Sequence, residues 1–358
     1  MSMQELPQDL LQEIQGIEPR SPEWQARAQS HIDRLTKPQG SLGRLEEVAA
    51  HLVAMQRSTP PSCAGKAVYV FAGDHGVTEE GVSAYPREVT VQMVLNFLQG
   101  GAAVNALAKT VGADLVIVDV GVAGDLPPAP GLRQAKVRRG TRNFALEPAM
   151  TYAETFEAMR VGMRLAEEAA QAGRRVVAIG EMGIGNTTSA SAIASALTAA
   201  DPDEVTGAGT GLAEKGVERK ADVIRKALRL HRIRLGDVTS VLACLGGYEI
   251  AAMAGMAIGA ARRRIAVVID GFISTAAAAV AFALAPHSRD YMFAGHASQE
   301  PGHRVLLQYL GLKPLLSLDM RLGEGSGAVL AFGILEGAVR VYNEMATFAS
   351  AGVSEKSE

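Results

Sequence analysis

Aromatic residues make up only 5% of this 358-residue chain, with a single tryptophan, and cysteine occurs twice. So few flat side chains leave few platforms on which a nucleic-acid single strand could stack. Basic blocks are missing too. The net charge is -3, and the longest basic run, Arg262-Arg263-Arg264, is too short for a phosphate-backbone footprint. Nucleic acid is thereby excluded as a partner. Cys63 lies in a Pro/Ser/Gly-rich stretch and Cys244 in an apolar one, neither at metal-ligand spacing. Two free thiols in a reducing compartment are expected. The longest apolar run, residues 273–286, is Ala-rich and shorter than the roughly 20 residues a membrane-spanning helix needs. The N-terminus is amphipathic and acidic and lacks the apolar core of a signal peptide. The expectation is a soluble, cytoplasmic protein with no membrane span.

What remains is globular. Hydrophobic residues make up 48% and charged residues 20%, and there are 38 glycines. Apolar, β-branched runs recur at 67–72 (AVYVFA), 115–120 (LVIVDV), 175–179 (RVVAI), 240–245 (SVLACL), 265–270 (IAVVID), 291–294 (YMFA) and, weakly, 314–318. They do not alternate, which predicts parallel strands covered on both faces. Helix-length stretches lie between them, at 89–111, 151–173, 189–200, 216–231, 250–261 and 274–285. Together they predict an α/β fold with a Rossmann-like, doubly wound, mainly parallel sheet. The predicted large domain runs over 58–327. Residues 1–57 and 328–350 read as helices that form a small helical subdomain, and 351–358 as a flexible tail.

In such sheets ligands bind beyond the carboxyl ends of the strands. Here six glycine-rich loops stand at predicted strand ends. They begin at Gly73, Asp119, Gly180, Gly246, Asp270 and Gly295. The most informative is GEMGIGNTT at 180–188. It resembles a Walker A loop, with Gly180, Gly185 and Thr187 in place, but Asn186 stands where the triphosphate-binding lysine belongs. Without that lysine, a nest of backbone amides at a helix N-terminus suits one phosphate monoester. The loop TGAGTG at 206–211 lacks G-x-G-x-x-G spacing and reads as a second phosphate wall. Lys220 is either its counter-charge or, on residue type alone, a solvated surface lysine. In RLGEGSG at 321–327, Glu324 sits among glycines either as a catalytic carboxylate or as a helix cap. Asp74-His75 has no second ligand at metal spacing. Asp119 and Asp270 end strands, where they bind ribose or cap helices.

Taken in order, LTKPQGSLGRL (35–45), AGDHGV (72–77) with Glu80-Gly81-Val82, GEMGIGNTT (180–188), LGGY (245–248), DGF (270–272) and RLGEGSG (321–327) span nearly the whole chain. In these segments the sequence resembles the nicotinate-nucleotide–dimethylbenzimidazole phosphoribosyltransferase family. The resemblance implies transfer of the 5-phosphoribosyl group from nicotinate mononucleotide to a benzimidazole nitrogen, with inversion at C1′. It also implies a cobalamin lower-ligand role and a homodimer, with no metal or other cofactor. By the same resemblance Glu324 is the general base and Glu181 a second carboxylate. Gly183, Gly185, Asn186, Thr187, Gly209, Lys220 and Ser298 form the phosphate and ribose side. Tyr85, Met93, Met182 and Leu322 line the acceptor slot, whose breadth leaves adenine, other benzimidazoles or phenolics open as acceptors. The chemistry agrees with the base: when one benzimidazole nitrogen attacks, the other N–H becomes acidic and needs an acceptor. A helix starting near Ser326 would favour ionised Glu324 and weaken it as a base, whereas burial would oppose that. The competing readings are a non-catalytic nucleotide- or benzimidazole-binding protein with Glu324 as a loop cap, and a hydrolase or kinase on the Walker-like loop.

Overall fold

The computed structural model describes residues 6–209 and 211–354. The extreme N-terminus, Thr210 of the second glycine loop and residues 355–358 of the expected tail lie outside the described residues.

Six strands form among the described residues, all but one edge strand largely buried. These are β1 (Ala67–Gly73), β2 (Asp114–Gly121), β3 (Leu132–Gln134), β4 (Val176–Met182), β5 (Ala266–Ile269) and β6 (Met292–Ala294). They form one sheet in the order β3-β2-β1-β4-β5-β6, and every pairing is parallel. That order places a topological switch point between β1 and β4, where crossovers leave in opposite directions and open a crevice. Register brings Phe71 of β1 beside Glu181 of β4. The carboxyl-terminal residues of both strands therefore reach the crevice at one level.

Helices cover both faces: α4 (Val89–Gln99), α5 (Ala103–Thr110), α6 (Tyr152–Gln171), α7 (Asn186–Thr198), α9 (Glu214–His231), α10 (Val238–Leu245), α11 (Tyr248–Arg262), α12 (Phe272–Leu284) and α13 (Pro301–Leu310), with a short α8 (Pro202–Val205). Toward the chain ends lie α1 (Gln8–Gln15), α2 (Pro22–Ile32), α3 (Arg44–Gln56), α14 (Ser326–Glu344) and α15 (Phe348–Ala351). The last long helix, α14, packs on α3, α5, β4 and β5. The two ends also pair directly. Leu35 bridges Thr347, the Thr36 amide donates to the Ala346 carbonyl, and the Phe348 amide donates to the Arg34 carbonyl.

Four expectations need correction. Residues 240–245 are not a strand but most of α10. Asp237 caps it, accepting the Ser240 amide at 3.0 Å and the Ser240 hydroxyl at 2.7 Å. A helix buried on all sides carries the same unbroken apolar run as a buried strand. As a result the Gly246-Gly247 loop follows a helix, not a strand. Residues 314–318 contribute only an isolated bridge, His296 to Leu316. The stretch 89–111 is two helices, because Gly100 at φ +82° ends α4. No run announced β3, an edge strand of three residues with two exposed.

Candidate active site

A cavity of about 430 Å³ opens at the switch point. Its floor and walls come from the end of β4, the start of α7, the loop after β5, the loop after β6 and the glycine-flanked loop before α14. Among the expected site residues Glu181, Met182, Gly183, Asn186, Thr187, Gly209, Ser298, Leu322 and Glu324 line it, with Tyr85 and Met93 across the mouth. Gly185 and Lys220 stand just behind the lining.

The phosphate side is built on α7. Gly185 is its N-cap residue at φ +94°, and a Cβ there would come within 2.8 Å of the Thr78 methyl group. Glycine meets both demands, and the helix start is tightly turned: the Asn186 amide donates to the Gly183 carbonyl and the Thr188 amide to the Gly185 carbonyl, each at 3.1 Å. Lys220 is not a solvated surface lysine. It is fully buried, and its Nζ donates to Thr187 Oγ1 at 2.7 Å and to the Gly207 carbonyl at 3.3 Å. Burial pulls its ammonium down to about 8, with Glu300 opposing.

Gly209 is held from both sides. Its amide donates to Glu300 Oε1 at 3.1 Å, and its carbonyl accepts Arg321 Nη1 at 3.3 Å. In this structure the Gly209 amide is therefore engaged by protein. Ser298 faces the cavity while its amide donates to His303 Nδ1 at 2.9 Å. His303 is buried and its imidazole is held down near 4 by desolvation and by His296, which keeps it a neutral acceptor.

The two expected carboxylates face one cavity, Glu181 from the end of β4 and Glu324 from the loop before α14. Glu181 is 6% exposed and accepts a hydrogen bond from Asn186 Nδ2. Burial, reinforced by Asp270, Glu249 and Glu324, pushes its carboxyl up to about 8, against the pull of Asn186. Glu324 is also 6% exposed. It adopts φ +65° between Gly323 at +88° and Gly325 at +85°. Left-handed backbone at a non-glycine residue costs about 1–3 kcal/mol and persists only where the surroundings impose it. A Cβ at Gly323 would collide with the Glu181 carboxylate, so the two loops meet without room for a side chain between them. Burial raises the Glu324 carboxyl, Asp270 raises it further, and the Val104 amide pulls it down. Burial and Asp270 together outweigh the Val104 amide and hold the Glu324 carboxyl above the usual carboxylate range.

The mouth is apolar. Val89 and Met93 sit four residues apart on one face of α4. Tyr85 and Leu322 are large, half-exposed side chains at the rim, at 51% and 56% exposure.

Asp270 lies under the site and caps α14, one of the two readings open to it; Asp119 accepts the Val122 amide and pairs with Lys136. Asp74 accepts the Ala123 amide at 2.7 Å, and His75 Nε2 bonds Glu249 Oε1 at 2.6 Å; neither lines the cavity. No group of three His, Cys, Asp or Glu among the described residues is arranged to hold a metal ion. Sequence reasoning missed Glu300, Arg321, Val89, Ile184, Phe272, Ile273 and Ser274 as lining residues. A usable signal existed for Glu300, a carboxylate two residues beyond Ser298 and directly before Pro301 at a helix start.

A family model described as Phosphoribosyltransferase matches residues 17–353. A relative from Geobacter sulfurreducens, a nicotinate-nucleotide–dimethylbenzimidazole phosphoribosyltransferase, is 52% identical over 346 residues, covering 97% of this chain and 98% of that one. A relative from Chloroflexus aggregans bearing the same name is 52% identical over 349 residues, covering 98% and 99%. The crystal structure of CobT from Thermus thermophilus superposes with a TM-score of 0.90 at 49% identity, covering 94% of this chain and 100% of that one. No helix among the described residues is long and apolar enough to cross a membrane.

Proposed function

The chain belongs to the nicotinate-nucleotide–dimethylbenzimidazole phosphoribosyltransferase family, and on that premise we propose how its own residues transfer the phosphoribosyl group. The donor is nicotinate mononucleotide and the acceptor 5,6-dimethylbenzimidazole, in assembly of the cobalamin lower ligand. The observation that carries this reading is the shared cavity: the first turn of α7 and the Glu324 carboxylate border one space. Its volume of about 430 Å³ falls within the usual range for small-molecule pockets.

In this reading the 5′-phosphate sits on the amides around Gly183, Gly185, Asn186 and Thr187, with Lys220 supplying positive charge. Ser298 and Gly209 complete that side, and the Gly209 amide exchanges Glu300 for the ligand. The flat acceptor enters between Tyr85, Met93, Met182 and Leu322. One of its ring nitrogens attacks C1′ from the face opposite the pyridine. The new N–C1′ bond forms as the C1′–N(pyridine) bond breaks, and that electron pair leaves with nicotinate. Glu324 takes the proton from the acceptor's other nitrogen, so the product leaves neutral at the base. Glu181 carries a proton at neutral pH in the free protein. In that form it positions the substrate, and only its ionised fraction opposes the positive charge that builds at C1′. The rest of the acceleration comes from alignment of the two substrates.

Residues 58–327 supply this site, the helices of 1–57 and 328–350 form a small subdomain that backs it, and two copies assemble as a cytoplasmic homodimer. Incubation with nicotinate mononucleotide and dimethylbenzimidazole, with detection of nicotinate and α-ribazole 5′-phosphate, tests the reaction. Glu324→Gln should lower kcat by at least about 100-fold, and a loss below about tenfold would remove Glu324 as the base. Binding of both ligands without turnover would favour the non-catalytic alternative.

A further inference from the structure

The loop that carries Glu324 hangs from one buried side chain outside it. Asp270 follows β5 and is 1% exposed. Its Oδ2 accepts the Gly325 amide at 3.1 Å, and its Oδ1 accepts the amides of Gly327 at 2.7 Å and Ala328 at 3.0 Å. These are the peptide next to Glu324 and the first turn of α14. The N-cap residue of α14 is Gly325, which has no side chain to cap with. Asp270 does that work from 55 residues away in the chain.

Three observations make this more than a distant cap. First, Glu324 and both its neighbours are left-handed. Such a run stays in place only if something fixes its downstream end, and Asp270 fixes it within one residue of Glu324. Second, the support is backed. His296, at the end of β6, places Nδ1 3.6 Å from Asp270 Oδ1, and its ring fills the space a Cβ on Gly327 would need. Third, with three amides divided over both oxygens, the geometry favours the carboxylate form of Asp270, although burial pushes its carboxyl up.

We propose that Asp270 is a positioning residue for the transfer reaction, holding the Glu324 carboxylate against the acceptor through Gly325 and the first turn of α14. The inference rests on Glu324 being the base. Asp270 touches neither substrate and acts only through that loop. Its negative charge has a second effect, because it makes Glu324 hold its proton more tightly. Other groups that face Glu324 are Glu181 from β4, the Val104 amide from α5 and the start of α14. His296 from β6 stands behind Asp270, and Arg321 and Glu300 line the same cavity.

The test is Asp270→Asn in the full-length protein, with kinetics on nicotinate mononucleotide and dimethylbenzimidazole. An asparagine can accept on one side only and turns its amide toward an N–H group on the other, so one arm of the support is lost. The expected result is a fall in kcat of about 100-fold, the scale of a small misplacement of a reacting group. The KM for the nucleotide should stay within about threefold, as expected for an interaction realised only in the transition state. The acid limb of the kcat–pH profile should move to lower pH, a shift that a merely structural role would not produce. Gly325→Ala disturbs the same peptide and leaves the Asp270 charge in place. It should lower kcat with the acid limb unmoved.

Calorimetric binding of nicotinate mononucleotide reports whether each variant retains its fold. If Asp270→Asn does not bind, Gly325→Ala decides the positioning claim, and unchanged kcat there overturns it. Glu324→Gln is run in parallel. An active Glu324→Gln overturns the base assignment and this inference with it. An inactive Glu324→Gln beside an Asp270→Asn enzyme with kcat within about threefold of wild type overturns the role of Asp270 alone.

Discussion

Replacing Glu181 by glutamine should make the protein more stable in base and leave it nearly unchanged in acid. Glu181 is a buried carboxyl that the folded protein pushes from its ordinary 4.5 up to about 8. Between those two pH values the native state keeps a proton that the unfolded chain has released. Stability therefore falls as pH rises through that window, with none of the penalty present below it and all of it present above. At about 1.4 kcal/mol for each tenfold change in proton affinity, the full penalty is about 5 kcal/mol. Water entry and relaxation around an ionised Glu181 reduce this, so a gain of roughly 2–5 kcal/mol is expected in Glu181→Gln at pH 9. Glutamine has the same shape, never ionises, and still offers an oxygen to Asn186 Nδ2. Urea unfolding at pH 5, 7 and 9, at fixed protein concentration, reads the difference directly. A stability difference that stays constant across the three pH values, or a wild type more stable at pH 9, would refute the reasoning. The same variant should turn over more slowly, which would mark Glu181 as a group whose burial is maintained at the expense of stability.

Lys220→Met separates function from stability in the opposite pH direction. The ammonium is pulled from 10.5 down to about 8, so folding releases a proton between those values and the penalty is complete below about 8. Below that pH the variant should be at least as stable as wild type by thermal unfolding, while the KM for nicotinate mononucleotide rises by at least about tenfold. Gly180→Ala places a Cβ into the peptide joining Glu324 and Gly325. Overpacking there should cost about 1–3 kcal/mol and lower kcat far more than it raises either KM, as steady-state kinetics on the two substrates would show.

Most of the fold was legible because its signals are redundant. Five of the six strands coincide with apolar runs in the sequence, and the helices between them carry glycines or caps at their ends. The exceptions have separate causes. Residues 240–245 are apolar on every side because α10 is buried on every side, and such a run carries no period to read. The three residues of β3 are recruited by pairing with β2, not by any apolar run of their own. In the site, GEMGIGNTT and RLGEGSG were legible because glycines at such density serve close backbone approach. The burial of Lys220 was not, since α9 is otherwise a strongly charged amphipathic helix. The Asp270 support and the Glu300 contact to Gly209 join residues 55 and 91 positions apart, separations at which no local pattern speaks.

The pairing of residues 34–36 with 346–348 has a consequence for biogenesis. Residues 34–36 meet these partners only once residues 346–348 have left the ribosome, and Glu324 is made after most of the sheet. Loop closure over that distance is slow and comes at the end. A nascent chain that stops short of residue 324 therefore lacks both the clasp and the carboxylate proposed as proton acceptor.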